Sequence, residues 1–287
     1  MSRYLNFTQM VAIAAILVTI AGCGGDDAPG GNDGGSGGGD APAEMPFDVA
    51  TAGNISGSVM FEGTAPPPEV LNMASEADCV AQYSADPTVS WVNSSGGGLA
   101  DVFVYVREGL EGMSFPIPTE AVGINQQGCQ YRPLVSGVQI GQTLTIQNSD
   151  GLLHNINASP TMNRPFNISQ PVNMETGREF AAAEVMVPIQ CDVHGWMAGY
   201  IGVVSHPYHA VSGSGGSFNL SQLPPGDYVI EAWHSRLGTQ EQTITVTTGQ
   251  TAEVTFTFTE AMLSSAEPKG DPLDLHDHGS FETLVGE

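Results

Sequence analysis

Cys191-Asp192-Val193-His194-Gly195-Trp196-Met197 is the stretch that decides the reading of this chain, together with His154, which stands 37 residues earlier in Asn148-Ser149-Asp150-Gly151-Leu152-Leu153-His154-Asn155. A thiolate and two imidazoles in a trigonal arrangement, completed by a weakly held thioether, are the donors of a type 1 (blue) copper site. Three of those donors would come from one short loop and the fourth from a separate strand. Such a cage is preformed, resists change between Cu(II) and Cu(I), and so favours fast electron transfer.

Around this stretch, short alternating apolar and polar runs dominate. They include Asn54–Gly63, Ala100–Gly109, Gln142–Asn148, Glu184–Gln190, Tyr200–His206, Ser217–Leu223, Asp227–His234, Gln242–Thr248 and Ala252–Phe258. Gly, Pro, Asn and Asp separate them, so the pattern predicts an all-β protein built from sandwiches or barrels. One stretch, Glu69 to Tyr83, fits a short helix.

Two family resemblances follow from these residues. The His154-Asn155 pair after a strand and an Asn-containing turn, then Cys191, His194 and Met197, resembles the cupredoxins, and the Cys-x2-His-x2-Met spacing resembles the short loop of amicyanins more than the longer loop of plastocyanins. The segment Val122–Asp150 is similar to the family's opening strands, so this resemblance covers about residues 120–205. It implies a Greek-key sandwich or barrel holding one copper ion. It also implies a buried His154, a His194 near the surface, and Asn155 as a hydrogen-bonding link between the ligand loops. Gly195 and Trp196 would form the patch where a partner docks. Unlike amicyanin loops, this one lacks prolines and carries Asp192 and Trp196 instead.

The run Gly213–Phe258 resembles the later strands of carboxypeptidase regulatory-like domains, which have a transthyretin-like sandwich. Gly216-Ser217-Phe218, the turn Leu223-Pro224-Pro225-Gly226 and Tyr228-x-Ile230 carry that resemblance. The opening strands of such a domain stand far upstream, in Asn54–Gly63 and Ala100–Val106. The expected organisation is therefore a split sandwich, residues 52–118 and 208–260, with the copper domain at 119–207 inserted into it. Two consecutive domains are the alternative.

The remaining readings of the ligand heptapeptide are a metal-free relic, a zinc site and a Cys-His nucleophile. Structural zinc sites use several Cys or His and do not use Met, and a nucleophile would need a third orienting group. Nothing in the sequence supplies an evident substrate pocket either.

The 287 residues carry 31 Asp and Glu against 7 Lys and Arg, which argues against nucleic-acid binding through charge and fits a basic partner or a salty habitat. Residues 1–22 have an export signal's organisation: Arg3, the apolar run Val11–Ala21 and small residues before Cys23. Ile20-Ala21-Gly22-Cys23 resembles the bacterial lipobox and implies lipidation at Cys23; a plain cleaved signal or an uncleaved anchor is the alternative. Residues 23–51, rich in Gly and Asp, read as a tether, and 261–287 as an acidic tail.

In an exported protein Cys79 and Cys129 are candidates for a disulfide that would join the 52–118 segment to the copper domain, against two buried free thiols. His206, His209 and His234 read as packing or surface residues. His276 and His278 lie in the tail.

These readings predict an exported, lipid-anchored blue copper protein of the cell envelope, touching the membrane through its anchor only. It would be a one-electron carrier for a redox partner such as a cytochrome or dehydrogenase, and not an enzyme, because four resident ligands leave no open position for substrate. Copper storage or delivery, and a noncatalytic interaction module, are the alternatives.

Overall fold

In a computed structural model, the structure describes residues 44–264. The segment expected to be an export signal, Cys23, the expected tether up to Ala43, and residues 265–287 with His276 and His278 lie outside the described residues. The described chain is almost entirely β, as its alternating pattern requires, and its sheets are open rather than closed into a barrel.

Four larger sheets form two face-to-face pairs. In the first pair, Gly53–Glu62 lies between Ser217–Leu223, antiparallel, and Thr251–Thr259, parallel over nine residues from Asn54↔Thr251 to Glu62↔Thr259. The facing sheet runs His209–Val211, Phe103–Glu108, Gly226–His234, Gly238–Val246. Their inward residues, among them Ile55, Val59, Val104, Val106, Ile230, Phe256 and Phe258, make one apolar core. Each such side chain contributes roughly 1.5–3 kcal/mol by leaving water. The strands before residue 110 and after 208 thus close on each other.

The strands between 122 and 204 form the second pair. One sheet runs Glu175–Arg178, Leu144–Asn148, Val122–Gln126, Tyr131–Arg132. The other runs Phe166–Gln170, His154–Ala158, Glu184–Gln190, Ala198–Val204, Val135–Gln139. Between them sits a second core containing Ile124, Leu144, Ile146, Ile156, Val187, Ile189, Ile201 and Val203.

The expectation that all of residues 52–118 belong with the first sandwich needs a correction. Leu71, Met73 and Cys79 are buried in the second core. The predicted helix shrinks to a single turn, Ala77–Val80, and Cys79 is bonded to Cys129 (S–S 2.03 Å). Both cysteines lie in the second core, so the bridge ties segment 71–83 to that core rather than linking the two. The reason is compositional: Leu71, Met73 and Cys79 are apolar side chains on a stretch too short to shield them itself. They are buried where the disulfide holds them.

Ala198–Val204 is buried along its whole length. Its apolar run, without polar alternation, is what a strand covered on both faces requires. Ile201 and Val203 face the second core, whereas Tyr200 and Val204 pack with Phe103, Val135 and the partly buried Trp233. Gly202 and its register partner Gly137 make this contact close. A Cβ on either would stand 2.5 Å from the Phe103 ring, so the ring packs against bare backbone.

His206 and His234 are packing residues. His206 Nε2 bonds the Val106 carbonyl at 2.8 Å, and burial pushes its pKa down to about 4. Burial, aided by the Arg236 charge, pushes His234 down to about 3. A histidine held neutral in the fold contributes stability that is fully present above pH 6.5 and is lost as pH falls towards the folded value, because the unfolded chain takes up the proton first. Denaturant unfolding at pH 6.5 and 5.5 should therefore show the native protein losing about 1 kcal/mol more than a His206→Gln variant. Equal losses would show that His206 is not held neutral.

Candidate metal centre

The strand pairing builds the site. His154 opens the strand His154–Ala158, and Cys191 directly follows the strand Glu184–Gln190, its antiparallel neighbour (Asn157↔Gln190, Ala158↔Ile189). Antiparallel pairing sets the start of one strand beside the end of the other, so His154 and Cys191 meet at one edge of the second core. Residues 191–197 then form the loop of a hairpin that returns as Ala198–Val204, with Gln190 opposite Ala198. Two backbone bonds close the loop: Cys191 N–H to the Met197 carbonyl (3.1 Å) and Met197 N–H to the His194 carbonyl (2.8 Å).

Three of the four expected donors converge. Cys191 Sγ and a ring nitrogen each of His154 and His194 lie within 4.8 Å of one another. The two Nδ1 atoms are 2.9 Å apart, and Cys191 Sγ is 3.7 Å from His194 Nδ1. Met197 is fully buried in the same core as Cys191. Burial alone would raise the Cys191 pKa, but hydrogen bonds from His154, His194 and the backbone N–H of His194 bring it down to about 6. The thiolate, the form that binds metals, is thereby favoured.

His194 differs from expectation. It is 1% exposed rather than close to the surface. The Trp196 ring lies 5.2 Å from the imidazole, and Trp196 Nε1 donates to the Cys129 carbonyl at 3.0 Å, which holds the indole over the ligand. What remains open beside the site is Asp192 and Val193, with Gly195 and Trp196 half-buried.

Asn155 links the two loops. Its Oδ1 accepts from the backbone N–H of Asp192 (2.7 Å) and from the Cys191 thiol (3.1 Å), while its Nδ2 donates to the Asp192 carboxylate (3.0 Å). Asp192, in the position that sets this loop apart from amicyanin loops, also accepts from Asn157 Nδ2 (2.9 Å) and Asn167 Nδ2 (2.5 Å). One carboxylate thus receives amide protons from three asparagines. The quoted heptapeptide contains Asp192, but Asn157 and Asn167 gain meaning only from the register that aligns them.

Asp150 is the other residue whose part emerges only in three dimensions. Its Oδ2 lies 2.8 Å from His154 Nε2, so the imidazole's far nitrogen is occupied and Nδ1 faces Cys191 and His194. Burial opposes charge on both groups, yet their mutual hydrogen bond raises the His154 pKa. The same bond and the N–H groups of Cys129 and Gly128 lower that of Asp150. The signal in the sequence is its place four residues before His154. Cys129 stands within 4.8 Å of this pair as well, but its sulfur is committed to the disulfide.

Residues 172–259 match the family model of the carboxypeptidase regulatory-like domain. That match ends on the last strand of the first sheet pair and begins among strands of the second. Among solved structures, the chain is similar to a purple cupredoxin from Nitrosopumilus maritimus, at 21% identity over 29% of this chain and 98% of that one, with a TM-score of 0.25. It is also similar to a Cu(I) form of an amicyanin variant, at 18% identity over 30% of this chain and 85% of that one, with a TM-score of 0.27. No curated protein matches the chain.

The asparagine clamp on Asp192 should be measurable through the buried thiol it guards. Asp192→Ala removes the acceptor of three amides, so Cys191 should react with a thiol reagent on the order of tenfold faster, a change of about 1.4 kcal/mol in opening free energy. An unchanged labelling rate would show that the loop stays closed without the clamp.

Proposed function

We propose that this chain holds one copper ion at His154, Cys191, His194 and Met197 and works as a one-electron carrier. The observation that carries the reading is the convergence of one thiol and two imidazoles in a buried pocket whose loops are already fixed by Asn155, Asp192 and Asp150.

The donor set fits the ion. A first-row metal sits about 2.0 Å from imidazole nitrogen and about 2.3 Å from thiolate sulfur, so nitrogens 2.9 Å apart and a sulfur 3.7 Å from one of them can reach a single centre. Two nitrogen lone pairs at 2.9 Å repel each other unless a proton or cation lies between them. One thiolate with two imidazoles, and a buried thioether in the same loop, selects copper over zinc.

Copper would supply a one-electron couple; the rest is the work of the chain. Cys191 gives up its proton on binding, its pKa already low. The hydrogen-bonded loops keep the donors in place through a change of charge, so little reorganisation opposes electron transfer. The burial of all four side chains supports carriage over storage or delivery, because no ligand is exposed for exchange. A docked redox partner, such as a cytochrome or dehydrogenase, would meet the protein at Gly195 and Trp196. In this reading the protein is not an enzyme. It is exported and held to the cell envelope by lipid on Cys23, a placement that rests on the N-terminal sequence.

Adding Cu(II) to the purified protein should produce an intense thiolate-to-copper absorption band in the visible, saturating at one copper per chain and bleaching reversibly with one electron. Cys191→Ser should abolish the band, and Met197→Leu should retain it with a changed potential. A colourless wild type would overturn the copper reading and favour a noncatalytic interaction module.

A further inference from the structure

Nothing in the donor set requires the disulfide, yet the turn that carries Cys129 touches both ligand loops. On one side, the backbone N–H groups of Gly128 and Cys129 donate to Asp150 Oδ1 (2.9 Å) and Oδ2 (2.8 Å), and Asp150 in turn bonds His154 Nε2. On the other side, the Cys129 carbonyl accepts from Trp196 Nε1, and the Trp196 ring rests against His194. A single residue therefore reaches each histidine through one intermediary, by its own main chain.

The turn that makes these contacts is costly to hold. Cys129 has φ +52°, in the left-handed region that costs a residue with a side chain roughly 1–2 kcal/mol. Segment 71–83 supports it from outside. The Cys79 sulfur is bonded to it, Tyr83 Oη donates to the Gly128 carbonyl at 2.6 Å, and Gln130 Nε2 donates to Tyr83 Oη at 2.9 Å. Asp150 is 4% exposed, so no solvent substitutes for the two N–H donors if the turn moves.

We propose that the Cys79–Cys129 cystine is a positioning element of the metal centre, acting through Cys129 on Asp150 and Trp196 to hold His154 and His194. The inference rests on the copper reading for its effect on the metal, but the linkage itself exists in the apoprotein. Asp150 is the positioning residue nearest the ligand. Its carboxylate fixes the imidazole so that Nδ1 faces the donors, and its negative charge favours Cu(II) over Cu(I). Carboxylates behind metal-bound histidines typically govern affinity by 10–100-fold.

The test compares wild type, Asp150→Asn, the cystine-free Cys79→Ala/Cys129→Ala variant and the combination of both. In each, Cu(II) affinity and midpoint potential are measured. Asp150→Asn should weaken Cu(II) binding about tenfold relative to Cu(I), which for a one-electron couple raises the potential by about 59 mV. The cystine-free variant should move both quantities the same way, and adding Asp150→Asn to it should change little more, because both act along one path. Wild-type values in the cystine-free variant, or effects that simply add, overturn the proposal.

If the cystine-free chain does not fold, Tyr83→Phe replaces it, since it loosens the same turn without touching the metal loops. A wild-type potential there and in Asp150→Asn overturns the proposal equally. A metal-free readout separates this inference from the copper reading. The ¹⁵N resonances of His154 in the apoprotein should show the proton on Nε2, and that signature should be lost in the cystine-free or Tyr83→Phe chain. Its persistence overturns the linkage, whereas a colourless wild type bears only on copper.

Discussion

The antiparallel pairing of His154–Ala158 with Glu184–Gln190 is the constraint on which the site depends. It sets the start of one strand alongside the end of the other, and so brings an imidazole and a thiol together from positions 37 apart in sequence. The seven-residue hairpin loop adds the second imidazole and the thioether from the same short stretch of chain. A slip of one residue in that pairing would turn His154 to the opposite face of its sheet. The inward-facing Ile156, Ala158, Val187 and Ile189 resist such a slip, because they would leave the second core with it. Core packing and site geometry thus depend on the same register.

Around the ligands, polar side chains do what apolar packing does elsewhere. Asp192 gathers Asn155, Asn157 and Asn167, and Asp150 gathers His154 with two backbone amides. A buried carboxylate is costly unless it is hydrogen-bonded, and Asp150 is both buried and bonded, whereas the exposed Asp192 gathers its asparagines at the rim of the site. That explains how a loop bordered by half-buried Gly195 and exposed Val193 still encloses its histidine. The strand Ala198–Val204 carries the loop's far end into the structure. Covered on one face by the second core and on the other by Phe103 and Trp233, it anchors Met197 at a position with little freedom to move.

The sequence makes legible whatever rests on local pattern. Alternation along Ser217–Leu223 and Gly238–Val246 reads directly as strands with one wet face, and the Cys-x2-His-x2-Met loop reads as a ligand set because its donors lie within one turn of chain. Three features were not legible. The burial of His194 depends on an indole pinned by a carbonyl 67 residues away. The place of Leu71, Met73 and Cys79 in the second core depends on a bridge over 50 residues, whereas the sequence puts them with the neighbouring sandwich strands. Asp150 and Asp192 look like ordinary loop acids until the fold sets Asp150 against the Gly128 and Cys129 amides and register sets Asp192 among the asparagines. Each of these is a long-range polar or covalent contact, and periodicity carries no trace of such contacts.

X-ray absorption at the copper edge of the Cu(II)-loaded protein tests the central claim most directly, because it reports the atoms bound to the ion rather than a property of the whole molecule. One short sulfur contact and two imidazole nitrogens per copper, with the sulfur lost in Cys191→Ser, is the result this account predicts. A shell of nitrogen and oxygen alone in the wild type would contradict it and place the copper elsewhere on an acid-rich chain.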